Sequence, residues 1–586
     1  MPGTMRDEQS AAPEGTSPAR QRRALRPIPP RVFEPTFSGV GLVLGAYFIA
    51  LSLLPSLLPR LPAIQGVASA VSFMIGYAIG ASGHAVWNYL QIPNLRGRWI
   101  HVVSLALLAI VGVLTGLAIW QWVGWQNEIR DQFGMDDLSP TAWPIVIGVG
   151  ALTAALLLVS ARALRLLFRT AYRRLDRWMP HRLAVAIGTT LLLVVLYLAV
   201  SGLFVRGFFA ASNAAFSIVD THDLPGVVET DSTLRSGGPG SLISWDDLGR
   251  QGRYFISSGP TAEDLDDYWG GGSMDPIRVY VGLRSADTLE ERADLLLQEL
   301  VRTGAFDRKA IVLGTVTGTG YLAPSGVDPL DYLYQGDVAI AGIQYSYLPS
   351  WISVLADQEV TRDTALATFR VVYEYWSSLP EDDRPELYLY GLSLGSYGVE
   401  SVLTSPDILN EPIDGALMVG PTFVNPAHTE LTAARDAGST AWLPIVGEGR
   451  TVRFMMGLGT LDLPTGTWGD TRIVYLQHGS DPVGMFSPSL TWSEPDWLEG
   501  DERAPDVSPR MDWFPLVTVW QVLLDMPTSG SVPDGYGHMY SYTENLEAWA
   551  AITEPDGWTD ADTDELAAYL EERAASQATL LQQLGN

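Results

Sequence analysis

The sequence predicts two unlike halves: an N-terminal α-helical transmembrane bundle of about five spans, then a domain built on a mostly parallel β-sheet with helices on both faces. Three observations carry this. Long apolar runs are confined to the first third, short apolar strands alternate with amphipathic helices in the last half, and the charge changes sign between the two.

Five apolar runs cover residues 37–58, 67–90, 100–123, 143–164 and 183–205. Each reaches the ~20 residues that cross a ~30 Å hydrocarbon core as a helix, and none holds Lys, Asp or Glu in its middle. The first run is too long for a signal-peptide core alone and four more follow it, so it is expected to stay in place. Pro55 and Pro59 predict a kink or an interfacial end there. Gly76 and Gly80 form a small-xxx-small pair suited to close helix approach. His84 reads as a polar group satisfied by a neighbouring helix sooner than as a functional intramembrane group.

Arginines give the orientation. Residues 1–35 form a basic tail with Arg6, Arg20, Arg22, Arg23, Arg26 and Arg31, and the second and fourth loops are also arginine-rich, whereas the first and third hold only Arg60 and Arg130. The positive-inside rule then places the N-terminus in the cytoplasm and, after an odd number of spans, the rest of the chain outside. Residues 1–206 carry 18 Arg against 9 acids, a net of +9, and the remainder carries 19 basic against 57 acidic residues, a net of −38. So acidic an outer domain excludes nucleic acid as a partner. Cysteine is absent, which removes disulfides, thiolate metal sites and a cysteine nucleophile; no cofactor or metal is expected. The single Lys309 against 36 arginines has the look of a G+C-rich bacterial genome, and the predicted location is a multi-pass bacterial cell membrane.

The bundle is expected over residues 36–206 and a glycine-punctuated connector over 207–275. From residue 276 to the end, strands are predicted at 277–283, 310–316, 337–344, 386–390, 415–420 and 472–477, with helices near 288–303, 359–379 and 563–584.

The chemistry centres on Gly391-Leu392-Ser393-Leu394-Gly395. This G-x-S-x-G leaves a strand and enters a helix, the setting of the nucleophile elbow of α/β-hydrolases. A serine hydroxyl needs a histidine to take its proton, and that histidine needs a carboxylate to fix its tautomer. On such a fold the order along the chain is Ser, acid, His. Of seven histidines only His428, His478 and His538 follow Ser393. Asp481, just past the 472–477 strand, is the expected acid, which leaves His538 as the base. His478 is expected to support the Asp481 loop, and His428 to be structural. Backbone N–H groups of Leu394 and of the Thr317-Gly318-Thr319-Gly320 loop are the expected oxyanion donors. Between Asp481 and His538 an insertion with Met485, Phe486, Trp492, Trp497, Trp513 and Phe514 reads equally as a cap over the site or as packing against the anchor or the core.

Across residues 35–580 the chain resembles a bacterial family of membrane-anchored α/β-hydrolases with a multi-span N-terminal domain. The stretches that carry the likeness are Trp245–Phe255, Val279–Leu283, Gln344–Trp351 and the elbow. The resemblance implies the fold and a Ser-Asp-His triad and says little about substrate. Relatives often place an acidic residue before the nucleophile, where this chain has Leu392, a departure that bears on pocket polarity.

The expected function is therefore an esterase- or lipase-type serine hydrolase, or an acyltransferase with the same triad. It would work beside the membrane lipid bilayer on a small-molecule, lipid or cell-envelope ester. The alternative is a membrane-anchored binding or scaffolding protein that kept the fold without turnover. Transport through the bundle has weak support, because the apolar runs hold almost no ionisable residues.

Overall fold

The computed structural model describes residues 37–92, 98–175, 204–356, 358–409, 411–500 and 503–585, with isolated positions between 183 and 197. The basic tail and almost all of the fifth apolar run lie outside the described residues.

The N-terminal half comprises α1 (Gly39–Ser52), α2 (Pro62–Tyr89), α3 (Arg98–Gln132) and α4 (Trp143–Leu175), and α5 (Phe204–Val219) follows. Among the described residues, three helices are long and apolar enough to cross a membrane, at Pro62–Tyr89, Val102–Gln132 and Pro140–Leu167. The first predicted span is not one of them. Its 14-residue helix rises only about 21 Å, and the chain turns away before Pro55. The small-residue prediction is met on both partners. A Cβ on Gly76 or Gly80 would fall 2.7 Å from Leu44 O or 2.8 Å from Gly41 Cα, so α1 and α2 touch backbone to backbone. His84 is exposed on α2.

The predicted connector folds into helices α6 (Gly249–Ser258) and α7 (Ala262–Trp269) ahead of the sheet. The sheet domain then runs β1 (Ile277–Val281), α8 (Leu289–Thr303), β2 (Ala310–Thr315), α9 (Pro324–Leu333), β3 (Val338–Ile343), α10 (Ser350–Ala356), α11 (Gln358–Ser378), β4 (Glu386–Leu392) and α12 (Leu394–Leu403). It continues with β5 (Gly415–Val419), α13 (Pro426–Ala433), β6 (Val452–Met455), β7 (Arg472–Leu476), α14 (Pro482–Met485), α15 (Thr518–Asp525), α16 (Tyr542–Thr553) and α17 (Asp560–Gly585). The seven strands pair in parallel in the order β1-β3-β2-β4-β5-β7-β6. Strands such as β3, Val-Ala-Ile-Ala-Gly-Ile, are buried at every residue, as a sheet covered on both faces requires. Capping boxes at Thr288 and Ser541 start α8 and α16.

All six predicted strands form. Sequence patterning missed β6, a four-residue edge strand beside β7.

Register positions the site. Thr315 pairs with Gly391, Leu392 with Val419, and Val419 with Leu476. The C-terminal ends of β2, β4, β5 and β7 are therefore level. The loops leaving them carry Thr317, Ser393, Gly420 and Asp481 out of one edge, where open parallel sheets assemble their sites.

The insertion between Asp481 and His538 packs against the helical half. Met485, Leu490, Trp497, Leu498 and Val522 share an apolar cluster with Leu57, Leu58, Ile129 and Phe133. A buried ion pair crosses the same contact, Arg60 Nε to Asp525 Oδ1 at 3.0 Å, both side chains at most 1% exposed. Of the two readings of the insertion, packing against the helical bundle is what Met485 and Trp497 do.

Candidate active site

β4 ends on Leu392, and Ser393 follows with φ 59° and ψ −126°, ahead of the first turn of α12. A non-glycine residue held there stores strain, and the surroundings enforce it. The turn is tight enough that a Cβ on Gly391 would lie 2.3 Å from Gly395 O, and one on Gly395 2.2 Å from Thr315 O. The Ser393 N–H donates to Val419 O at 2.9 Å, and the Ser396 hydroxyl donates to Ser393 O at 2.6 Å. Leu394 opens the helix, so its N–H has no acceptor within α12.

Asp481 caps α14. Its Oδ1 accepts the Val483 N–H at 2.8 Å, and its Oδ2 faces His538 Nδ1 at 2.6 Å and accepts the Tyr540 hydroxyl at 2.9 Å. With the proton on Nδ1, His538 Nε2 is an acceptor. It is buried and makes no hydrogen bond, so no bond joins it to the Ser393 hydroxyl. The two residues nevertheless flank one point on the sheet. Val419 O holds the Ser393 amide, while a Cβ on the next residue, Gly420, would lie 2.6 Å from His538 Cε1. The structure thus brings Asp481 and His538 together and sets Ser393 across the exit of β5 from them.

The histidine loop is held from below. His478 Nδ1 donates to Gly537 O at 2.9 Å, and its Nε2 meets Glu544 Oε1 at 2.8 Å. Burial alone would push this imidazole down; the Glu544 carboxylate outweighs it and raises His478 to about 9. Burial alone would push Glu544 up, and the same pairing holds it below the usual range. Tyr540 stacks on His478 with ring centres 4.2 Å apart. The His478 side chain therefore supports the loop of His538, while its carbonyl accepts the Asp481 N–H at 3.2 Å and so holds the Asp481 loop as expected. From the other side, Phe133 of the helical half stacks on Tyr536 at 4.3 Å.

In the predicted oxyanion loop, the Thr317 N–H donates to Tyr321 O at 3.0 Å and is committed to its own turn. Gly318 fits where no side chain would, since a Cβ would lie 2.3 Å from Ser353 Oγ. Tyr280 holds the loop by donating to Gly320 O at 2.6 Å.

His428 lies apart, its Nε2 2.6 Å from Gln477 Oε1 and its pKa pushed down to about 4 by burial. Beside it, buried Glu400 of α12 accepts the Ala427 and His428 amides and the Tyr475 hydroxyl. Asn425 donates both to Glu400 and to Ser396 Oγ, so this network reaches the Ser393 carbonyl. Sequence reasoning missed Tyr540, Glu400 and Asn425. Only the position of Tyr540, two residues past His538, was a usable signal.

Family models for an alpha/beta-hydrolase family match residues 277–566, and for the N-terminus of an alpha/beta-hydrolase family residues 53–260. The chain belongs to this alpha/beta-hydrolase family, whose members are in general enzymes. Searches of curated proteins and of solved structures gave no significant match.

Proposed function

We propose that the protein is a serine hydrolase of esterase or lipase type, or an acyltransferase, acting on an ester at the outer face of a bacterial membrane. The observation that carries this is the Asp481–His538 pair, 2.6 Å apart, with Nε2 free and buried beside the strand end that holds Ser393. In this reading Ser393 attacks the ester carbonyl, and His538 Nε2 takes its proton and then gives it to the leaving alcohol. Asp481 fixes the Nδ1–H tautomer and stabilises the imidazolium. The amides of Leu394 and Gly318 face the developing oxyanion, with Thr317 shaping that loop. Water, or an acceptor alcohol, then releases the acyl group from Ser393.

The missing Ser393–His538 hydrogen bond favours a second reading, a non-catalytic scaffold. A fluorophosphonate probe separates the two. Labelling that is lost in Ser393→Ala and strongly slowed in His538→Ala supports the hydrolase. Absence of labelling, or labelling that survives Ser393→Ala, refutes it.

A further inference from the structure

α15 is folded inside out. Thr518, Gln521, Val522 and Asp525, spaced 3, 4 and 7 apart, form its buried face. That face is mostly polar, and the helical half consumes it. Asp525 pairs with Arg60 and accepts the Ser56 hydroxyl, and Gln521 donates to Leu54 O at 3.2 Å. Turned the opposite way are Trp520, Leu523 and Leu524. Trp520 is 37% exposed, and Leu523 and Leu524 are half-buried. None of the three belongs to the apolar clusters found among the described residues.

A water-facing helix would do the reverse, turning its leucines inward and its glutamine and aspartate outward. The neighbourhood says what replaces water. α15 binds the loop between α1 and α2, next to the first turn of a candidate membrane span. Leu61 at that turn is 46% exposed and extends the apolar surface. Span termini lie where hydrocarbon gives way to headgroups, the depth at which tryptophan is enriched and amphipathic helices rest. Trp492, 70% exposed, sits next to Thr491, whose carbonyl accepts the Leu516 amide just before α15.

We infer that α15 is a second, non-spanning membrane contact, with Trp520, Leu523 and Leu524 seated in the outer leaflet at the headgroup boundary. The insertion between Asp481 and His538 is thereby pinned to the lipid surface, and the loops of the site lie beside the bilayer. The inference rests on the membrane-spanning reading of the bundle and is independent of any hydrolase chemistry.

Because the chain has no cysteine, single labels are clean. Trp520→Cys, Leu524→Cys, Leu114→Cys on α3 and Asp382→Cys are each labelled with an NBD fluorophore. Asp382 is exposed near the start of β4, at the sheet edge opposite the site. The full-length proteins are placed in phosphatidylcholine nanodiscs, one set with a doxyl quencher near the headgroup, to reach 520 and 524, and one with it near the acyl-chain end, to reach 114. The expected result is blue-shifted emission and lipid quenching at 520 and 524 comparable with Leu114, and none at 382. Quenching at 114 with 520 and 524 behaving like 382 overturns the inference. Shielding of 520 and 524 from aqueous iodide without lipid quenching also overturns it, by pointing to a protein partner. Absence of quenching at 114 refutes the membrane reading itself, and α15 with it.

Discussion

The buried His478–Glu544 pair makes stability depend on pH in a definite direction. His478 is raised from an ordinary 6.5 to about 9 in the folded protein. A raised pKa contributes stability that is fully present below pH 6.5 and is lost as pH rises through about 9. The shift corresponds to on the order of 3 kcal/mol. Glu544 stays ionised throughout this window, because its own pKa is lowered and Ser541 donates two hydrogen bonds to its second oxygen. The perturbation is His478→Gln, which keeps a donor but carries no charge. At pH 6.5 the variant should lose on the order of 3 kcal/mol, a fall of roughly 5 °C in the melting midpoint for a domain of this size. Near pH 10 the two proteins should converge, because the wild-type imidazole is then neutral. Thermal scans of tryptophan fluorescence from pH 6 to 10 measure both slopes. A wild-type midpoint that stays flat between pH 7 and 9.5, or a variant with the wild-type slope, would refute the argument.

Two further predictions concern the loop of His538. Tyr540→Phe removes the hydroxyl that shares Asp481 Oδ2 with His538 and keeps the ring stacked on His478. A lost hydrogen bond to a carboxylate is worth about 1.5–3 kcal/mol, so fluorophosphonate labelling of Ser393 should slow by roughly tenfold or more, with a fall of roughly 2–5 °C in the melting midpoint. Phe133→Ala deletes the ring stacked on Tyr536 at 4.3 Å. On a p-nitrophenyl ester, kcat should fall roughly two- to thirteenfold, from ~0.5–1.5 kcal/mol of lost aromatic pairing, with KM unchanged, and Phe133→Tyr should restore it. An unaltered kcat would mean that the helical half does not position that loop.

Local pattern made much of this molecule legible. Alternating strands and helices announced the parallel sheet, and the scarcity of histidine narrowed the candidate base to one residue before any geometry was known. Pro55 and Pro59 marked where the first apolar run stops being helix, although its length alone suggested a full span. What stayed hidden depends on contacts across the chain. Tyr540 reaches back 59 residues to Asp481, and Asn425 and Glu400 meet only because β4 and β5 are neighbours. β6 is four residues of mixed polarity, too short for an alternation to register. The aromatic insertion offered two surfaces it could cover, and nothing local in its sequence chooses between them. The choice falls to Asp525, which meets Arg60 across 465 residues.

That separation has a temporal side. A ribosome adds about 5–20 residues per second, so Asp525 is made roughly half a minute or more after Arg60. Throughout that interval the arginine's carboxylate partner is missing, although Ser52 O and Gln65 Oε1 of the helical half already accept from its guanidinium. Seating of the sheet domain on the helices is therefore a late event in biogenesis.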